Sequence, residues 1–263
     1  VLRQAEERVP LSVMRRVSVA VPVERAEEAR AQMLELFPEG FEEVESPDGV
    51  ELIAYTDPGG EERLWQAFGG ARGQDVAADW RDRWKAFHHP VRVGRLWIGP
   101  PWHEPPEDAT AIVIDPGRAF GTGAHPTTQL LVELMLDIEP ASAVDFGSGS
   151  GVLAIVAAKL GFDPVIALDT EESAVVATLA NAAANGVEIE ARRVDVLSDD
   201  LPVAEVALAN ITRPSVEALA PRLRSQRLLS SGYFPTDADV LAGFTQVRRI
   251  TREGWAADHY ERM

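Results

Sequence analysis

The sequence predicts an α/β protein: a doubly wound, mostly parallel sheet with an antiparallel final hairpin, plus a small N-terminal α+β domain of the split-βαβ (ferredoxin-like) kind. Three observations carry this expectation. From Ser142 onward, short apolar runs ending at Asp145, Asp169, Asp195 and Asn210 alternate with helical segments. The run Val144-Asp-Phe-Gly-Ser-Gly-Ser-Gly151 places three glycines between a strand and the apolar stretch Val152–Leu160. The first 75 residues read as strand, helix, strand, strand, helix. The expected boundaries are a small domain at 14–75, a linker with a connecting helix at 76–108 and the main domain at 109–263.

Taken in order, residues 16–23 alternate valine with smaller or polar residues, a half-buried strand whose end Pro22 would confine to a sheet edge. Residues 24–37 carry Ala26, Ala29, Met33, Leu36 and Phe37 on one helical face. Ser46-Pro-Asp-Gly49 is a turn between strands at 41–45 and 50–55, and Gly69-Gly70 ends a helix at 61–68. Trp80, Trp84 and Phe87 sit at helical spacing in a connecting helix, 79–87. A strand at 111–114 feeds a loop rich in glycine and threonine, and Pro126 opens the next helix. Strands follow at 143–146, 165–168, 189–194, 203–209 and 227–230. The helix at 173–185 closes with Asn185-Gly186, and Thr212 and Pro214 open another. A helix at 235–244 and a hairpin of 247–251 with 255–261 complete the chain.

Composition narrows the function. A net charge of −17 argues against a nucleic-acid binder and suits a basic protein partner. The absence of cysteine excludes disulfides, thiolate metal sites and a cysteine nucleophile. His88, His89 and His103 lack metal-ligand spacing, so no metal is expected. The longest apolar stretch falls well short of the roughly 18 residues that span a bilayer, and no signal-peptide pattern opens the chain. A cytoplasmic monomer, off the membrane and not binding nucleic acid directly, is the expectation.

The chemistry concentrates at the strand ends. A strand, a glycine turn and a helix N-terminus gather backbone N–H groups around one small volume. Asp145 at that strand end would repel a phosphate yet accept from an amine or hydroxyl, which favours a nucleoside-type cofactor without a crowded phosphate. The spacing Gly149-x-Gly151-x-x-Ala154, with Asp169 about twenty residues beyond Gly149, also satisfies a relaxed dinucleotide fingerprint. Glycine spacing alone therefore leaves an NAD enzyme and a methyltransferase both open.

Three blocks together are more specific: Asp115-Pro-Gly-Arg-Ala-Phe-Gly-Thr-Gly-Ala-His-Pro-Thr-Thr128, Asp145-Phe-Gly-Ser-Gly-Ser-Gly151 and Asn210-Ile211. They resemble the ribosomal protein L11 methyltransferase (PrmA) family, and Trp80-x-x-x-Trp84-Lys85 resembles its interdomain stretch. The resemblance implies a class I methyltransferase (Rossmann-like) fold, S-adenosylmethionine as cofactor and an N-terminal domain that docks a basic ribosomal protein. It implies methylation of lysine, and α-amino, nitrogens. Thr128, Gly147, Asp169 and Asn210 match its cofactor positions, with Asn210 also placed to hold the amine. Phe120, Gly121 and Thr122 lie in the matching loop, and Phe120 is expected to face the sulfonium. Gly149, Gly151 and Asp145 belong to the glycine turn, and Asp195 matches the adenine side. Thr212-Arg213 and Tyr233-Phe234 depart from the family's apolar-small and aliphatic residues, beside the expected acceptor pocket.

Overall fold

Valines at 17, 19 and 21 put one face of β1 (Arg15–Val21) into a core shared with α1 (Ala26–Leu36). The computed structural model describes residues 15–22, 25–37, 41–46, 49–56, 59–75, 88–115, 121–237 and 240–263. They fall in two compact units, residues 1–84 and 85–263. The first continues through β2 (Glu42–Ser46), β3 (Gly49–Thr56), α2 (Gly60–Phe68) and β4 (Arg72–Asp75). Its sheet runs β2-β3-β1-β4 with every pair antiparallel.

β1 is flanked by β3 and β4 along Arg15–Ser18, whereas Val19–Val21 pair with β3 alone, so the end of the strand next to Pro22 is a sheet edge, as expected. β4 was not expected: Arg-Gly-Gln-Asp has no apolar alternation, and pairing with β1 creates the strand.

In the second unit, β5 (Val91–Val93), β6 (Leu96–Gly99) and β7 (Thr110–Val113) form a three-stranded sheet. The stretch expected as linker up to 108 thus contains a hairpin, and Val93, Leu96 and Ile98 join the main core. Short strands flanked by prolines carry too little periodicity to show in the sequence. The seven-stranded sheet comprises β8 (Ala143–Phe146), β9 (Val165–Asp169), β10 (Glu190–Arg193), β11 (Val206–Asn210), β12 (Arg227–Tyr233), β13 (Phe244–Arg252) and β14 (Trp255–Arg262). Its order is β10-β9-β8-β11-β12-β14-β13, parallel except for β14, which is antiparallel to both β12 and β13. This is the doubly wound sheet with an antiparallel finish.

Strand alternation divides the core between the sheet's two faces. Ala143, Val206, Leu208 and Leu229 pack with α3 (Pro126–Leu136), α4 (Val152–Leu160) and α5 (Glu172–Asn185). Val144, Phe146, Ala207, Ala209 and Leu228 pack with α6 (Arg213–Leu219) on the other face. The helix expected at 235–244 is absent from the described residues: Asp237 accepts the Phe234 N–H at 2.8 Å to make a turn, and β13 begins at Phe244. The expected helix at 79–87, with Trp80 and Trp84, and residues 1–13 lie outside the described residues. No helix among the described residues is long and apolar enough to cross a membrane.

Candidate cofactor and acceptor site

The strand order reverses at β8, which has β9 on one side and β11 on the other. In such sheets a ligand binds beyond the strand ends at this switch point. Gly147, Asp169 and Asn210 sit there, with Ala209 opposite Phe146 in the β11–β8 register and Asn210 therefore beside Gly147. Gly147 has φ +75°, and a Cβ on it would lie 2.7 Å from Ile211 Cγ2. Only glycine lets the turn close over Ile211.

The amides of the turn are not the open cradle expected from sequence. Gly147 N and Ser148 N both donate to Leu168 O, at 2.8 and 3.0 Å, and Gly151 N donates to Ser148 O at 2.8 Å. Gly149 N donates to Asp169 Oδ2 at 2.9 Å, while Asp169 Oδ1 accepts from Glu171 N at 3.0 Å. Even the α4 N-terminus is partly occupied, since Ala154 N donates to Asp145 Oδ2 at 3.2 Å. With the Gly147, Ser148, Gly149 and Gly151 amides bonded, the turn keeps few donors for a pyrophosphate beside the Asp169 carboxylate.

Asp145 belongs to the sheet face that packs against α3 and α4. It is 1% exposed, and its Oδ1 has no hydrogen-bond partner among the described residues. Burial, opposed by the Ala154 N–H and reinforced by the Asp169 charge, pushes its pKa up to about 7.

Two asparagines one helical turn apart on α5 brace the site, a role the sequence did not reveal, where Asn185 reads only as half of a helix-closing pair. Asn185 accepts from Val113 N at 2.8 Å and donates to Val113 O at 2.6 Å, imitating a strand partner. Asn181 accepts from Asp115 N at 3.0 Å and donates to Ser150 O at 2.9 Å. Thr178 donates to Gly149 O at 3.2 Å. The Asn-x-x-x-Asn spacing on an otherwise alanine-rich helix was the available signal.

Residues 121–125, just before α3, meet the glycine turn. Ser150 Oγ donates to Gly121 O, so Gly121 touches the glycine turn. Thr122 Oγ1 accepts the Ala124 N–H at 3.4 Å. His125 caps α3, accepting from Thr127 N at 3.3 Å with its Nδ1 2.7 Å from Thr127 Oγ1. One turn on, buried Thr128 Oγ1 accepts from Asn210 Nδ2 at 3.1 Å, joining two predicted residues 82 positions apart. Asn210 Oδ1 has no partner among the described residues. Phe120 lies outside the described residues.

Asp195 stands somewhat apart. Val194 N donates to Asp169 O at 2.8 Å, but the Asp195 carboxylate is solvent-exposed and accepts the Leu197 N–H at 2.9 Å. That N–H and the Ser198 hydroxyl hold it below the usual carboxylate range. Its role on the adenine side is not carried by a contact to the other site residues.

Arg213 and Tyr233, expected beside the acceptor pocket, are instead buried at 7% and 2% exposure. Both feed a network around fully buried Asp258. That carboxylate accepts Tyr233 OH at 2.8 Å, Tyr260 OH at 3.1 Å, and Arg249 at 2.8 and 2.9 Å. Arg213 donates to Tyr260 OH at 3.1 Å and lies over the Tyr233 ring, 5.3 Å from its centroid. Burial works against the Asp258 charge, yet Arg249 and Tyr233 hold its pKa below the usual value. The neighbours Thr212 and Phe234 are exposed.

The sheet order, the glycine turn and the acidic and amide side chains at its switch point define a class I methyltransferase fold. The chain belongs to the family described as ribosomal protein L11 methyltransferase (PrmA), whose model matches residues 23–262. It is 42% identical over 179 residues to a ribosomal protein L11 methyltransferase of Vibrio cholerae serotype O1, covering 63% of this chain and 60% of that protein. With the Pasteurella multocida protein of the same name, identity is 45% over 154 residues, covering 56% and 52%. The chain thus spans less than two thirds of the length of these relatives. A solved ribosomal protein L11 methylase from Lactobacillus delbrueckii subsp. bulgaricus superimposes with a TM-score of 0.59 at 30% identity, covering 66% of this chain and 98% of that one.

Proposed function

We propose that this chain is an S-adenosylmethionine-dependent protein N-methyltransferase acting on amines of a basic, L11-like ribosomal protein. The observation that carries the reading is the glycine turn, where the Gly147, Ser148, Gly149 and Gly151 N–H groups are already bonded and Asp169 accepts from one of them. Amides so bonded are lost to a pyrophosphate, which weighs against the NAD alternative. An uncrowded nucleoside needs a carboxylate for its hydroxyls, and Asp169 supplies one.

Gly147, Gly149 and Gly151 are assigned to the cofactor by the turn they build, Gly121 and Thr122 by the loop that bonds to that turn, and Phe120 by family position alone. Each Asp169 oxygen accepts one backbone N–H and keeps a second lone pair, so together they suit two adjacent ribose hydroxyls. Asp145 supports the turn through Ala154, and Asp195 is assigned to the adenine side by family position. When bound, S-adenosylmethionine supplies an electrophilic methyl on a sulfonium.

What remains for the protein is to hold an uncharged amine in line. Thr128 fixes the Asn210 amide through Nδ2, leaving Oδ1 to accept an acceptor N–H and aim the nitrogen lone pair. A lysine amine, with an ordinary pKa of about 10.4, must lose a proton first. A neutral amide does not stabilise the ammonium as a carboxylate would, and water takes the proton. The net charge of −17 and the separate unit within residues 1–84 support docking of a basic protein.

Calorimetric titration tests the cofactor assignment. Binding of S-adenosylmethionine with no response to NAD is expected, and the reverse would overturn the proposal. A small-molecule methyltransferase would turn over free amines with the full chain, whereas this reading expects only protein acceptors to react.

A further inference from the structure

Phe234 is 55% exposed, an unusual position for a large ring, and it stacks on Trp255 with centroids 5.1 Å apart and planes 22° apart. Trp255 meets His125 edge-on at 5.0 Å. These three rings belong to a closed circuit of contacts around the end of β11. His125 caps the helix turn that carries Thr128, and Thr128 accepts from Asn210. In the other direction, Asn210 is paired with Ser231 in the β11–β12 register. Gly232 follows, so close to Ile211 that a Cβ would lie 2.3 Å from Ile211 O. Phe234 is two residues further, no more than about 10 Å of extended chain from Ser231.

The circuit brings an exposed aromatic ring and the free Asn210 Oδ1 to the same end of the sheet. Over half of the Phe234 surface meets solvent, so its stack on Trp255 leaves ring surface open to a ligand. An aromatic face attracts an alkylammonium through its ring quadrupole, and each added methyl group makes that cation larger and less hydrated without removing its charge. The buried Tyr233–Asp258 contact holds the backbone just before Phe234, so the ring is presented from a rigid strand end.

We propose that Phe234, stacked on Trp255, forms a wall that holds the alkyl stem and methylated ammonium head of the acceptor side chain. This rests on the methyltransferase reading and adds a residue that retains an amine already carrying methyl groups, so that it stays at the site between transfers. The departure from aliphatic residues at this position then has a use: an aliphatic side chain offers contact area but no cation-binding face.

The test uses the full chain and two short peptides, one with N-trimethyl-lysine and one with its neutral tert-butyl isostere, titrated by calorimetry. Wild type is expected to prefer the charged peptide roughly two- to fivefold, as a cation–π contact at an exposed site supports. Phe234→Ala should erase the preference without changing S-adenosylmethionine affinity, and Phe234→Tyr should keep it. Equal binding of the two peptides, no detectable binding of the trimethyl-lysine peptide, or an unchanged preference in Phe234→Ala would overturn the proposal. Methyl transfer to ribosomal protein is measured in parallel. Transfer without the peptide preference would sink the aromatic wall alone, whereas the preference without transfer would sink the methyltransferase reading.

Discussion

Replacing Asp145 by asparagine keeps the shape of the side chain and the acceptor for Ala154 N–H but removes the charge. In the wild type, folding raises the carboxyl pKa from an ordinary 3.8 to about 7, because the group is buried, opposed by the Ala154 N–H and reinforced by the Asp169 charge. The folded state therefore holds the proton more tightly than the unfolded one. Its stabilising contribution is complete below pH 3.8 and is lost as the pH rises through about 7. With those two values, wild type should lose about 2 kcal/mol relative to Asp145→Asn between pH 5.5 and 8. For a unit of this size that widens the gap in Tm by roughly 4–8 °C, with the variant the more stable at pH 8. The assay is thermal unfolding of both proteins, without cofactor, across that range. Comparing the pair cancels the other titrating groups. A gap that stays constant, or narrows as the pH rises, would refute the argument that Asp145 is an uncompensated buried carboxyl.

Gly147→Ala should destabilise the fold by about 1–3 kcal/mol and weaken cofactor binding, because the new Cβ meets Ile211 Cγ2 at 2.7 Å; denaturant unfolding and calorimetry read the two effects. Asn185→Leu should cost about 2–4 kcal/mol in denaturant unfolding by stranding the Val113 N–H and C=O that the amide now pairs. Asn210→Asp should lower methyl transfer at neutral pH more than it lowers cofactor affinity, and raising the pH should recover part of the loss as the acceptor amine deprotonates. Equal losses of rate and affinity at every pH would show that Asn210 serves the cofactor alone.

Much of the second unit was legible because its signals are local. Asp145, Asp169 and Asn210 end apolar runs, and the alternate glycines of 147–151 take the positive φ that other residues rarely adopt. The missed features depend on distant partners. β4 becomes a strand only beside β1, and β5 and β6 are short strands defined by their pairing. A helix is expected at 235–244, but the Asp237 side chain captures the Phe234 N–H and turns the chain instead. Arg213 and Tyr233 are expected beside the acceptor pocket only from the family positions they occupy, after Ile211 and Gly232. Their burial follows from Asp258, 45 residues beyond Arg213, which gives the polar groups somewhere to bond. The glycine turn was located correctly but not its hydrogen bonding, since the carbonyl of Leu168 and the carboxylate of Asp169 reach it from the next strand.

The central claim is that Asn210, held by Thr128 beside the glycine turn, presents a protein amine for methylation. Incubating the full chain with labelled S-adenosylmethionine and ribosomal proteins, followed by mass mapping of the labelled residues, tests it most directly. The account predicts label on lysine ε-amines, or an α-amine, of a basic L11-like protein, with loss of label in Asn210→Ala. Label confined to arginine or carboxylate side chains, or no transfer from a protein that binds the cofactor, would contradict it.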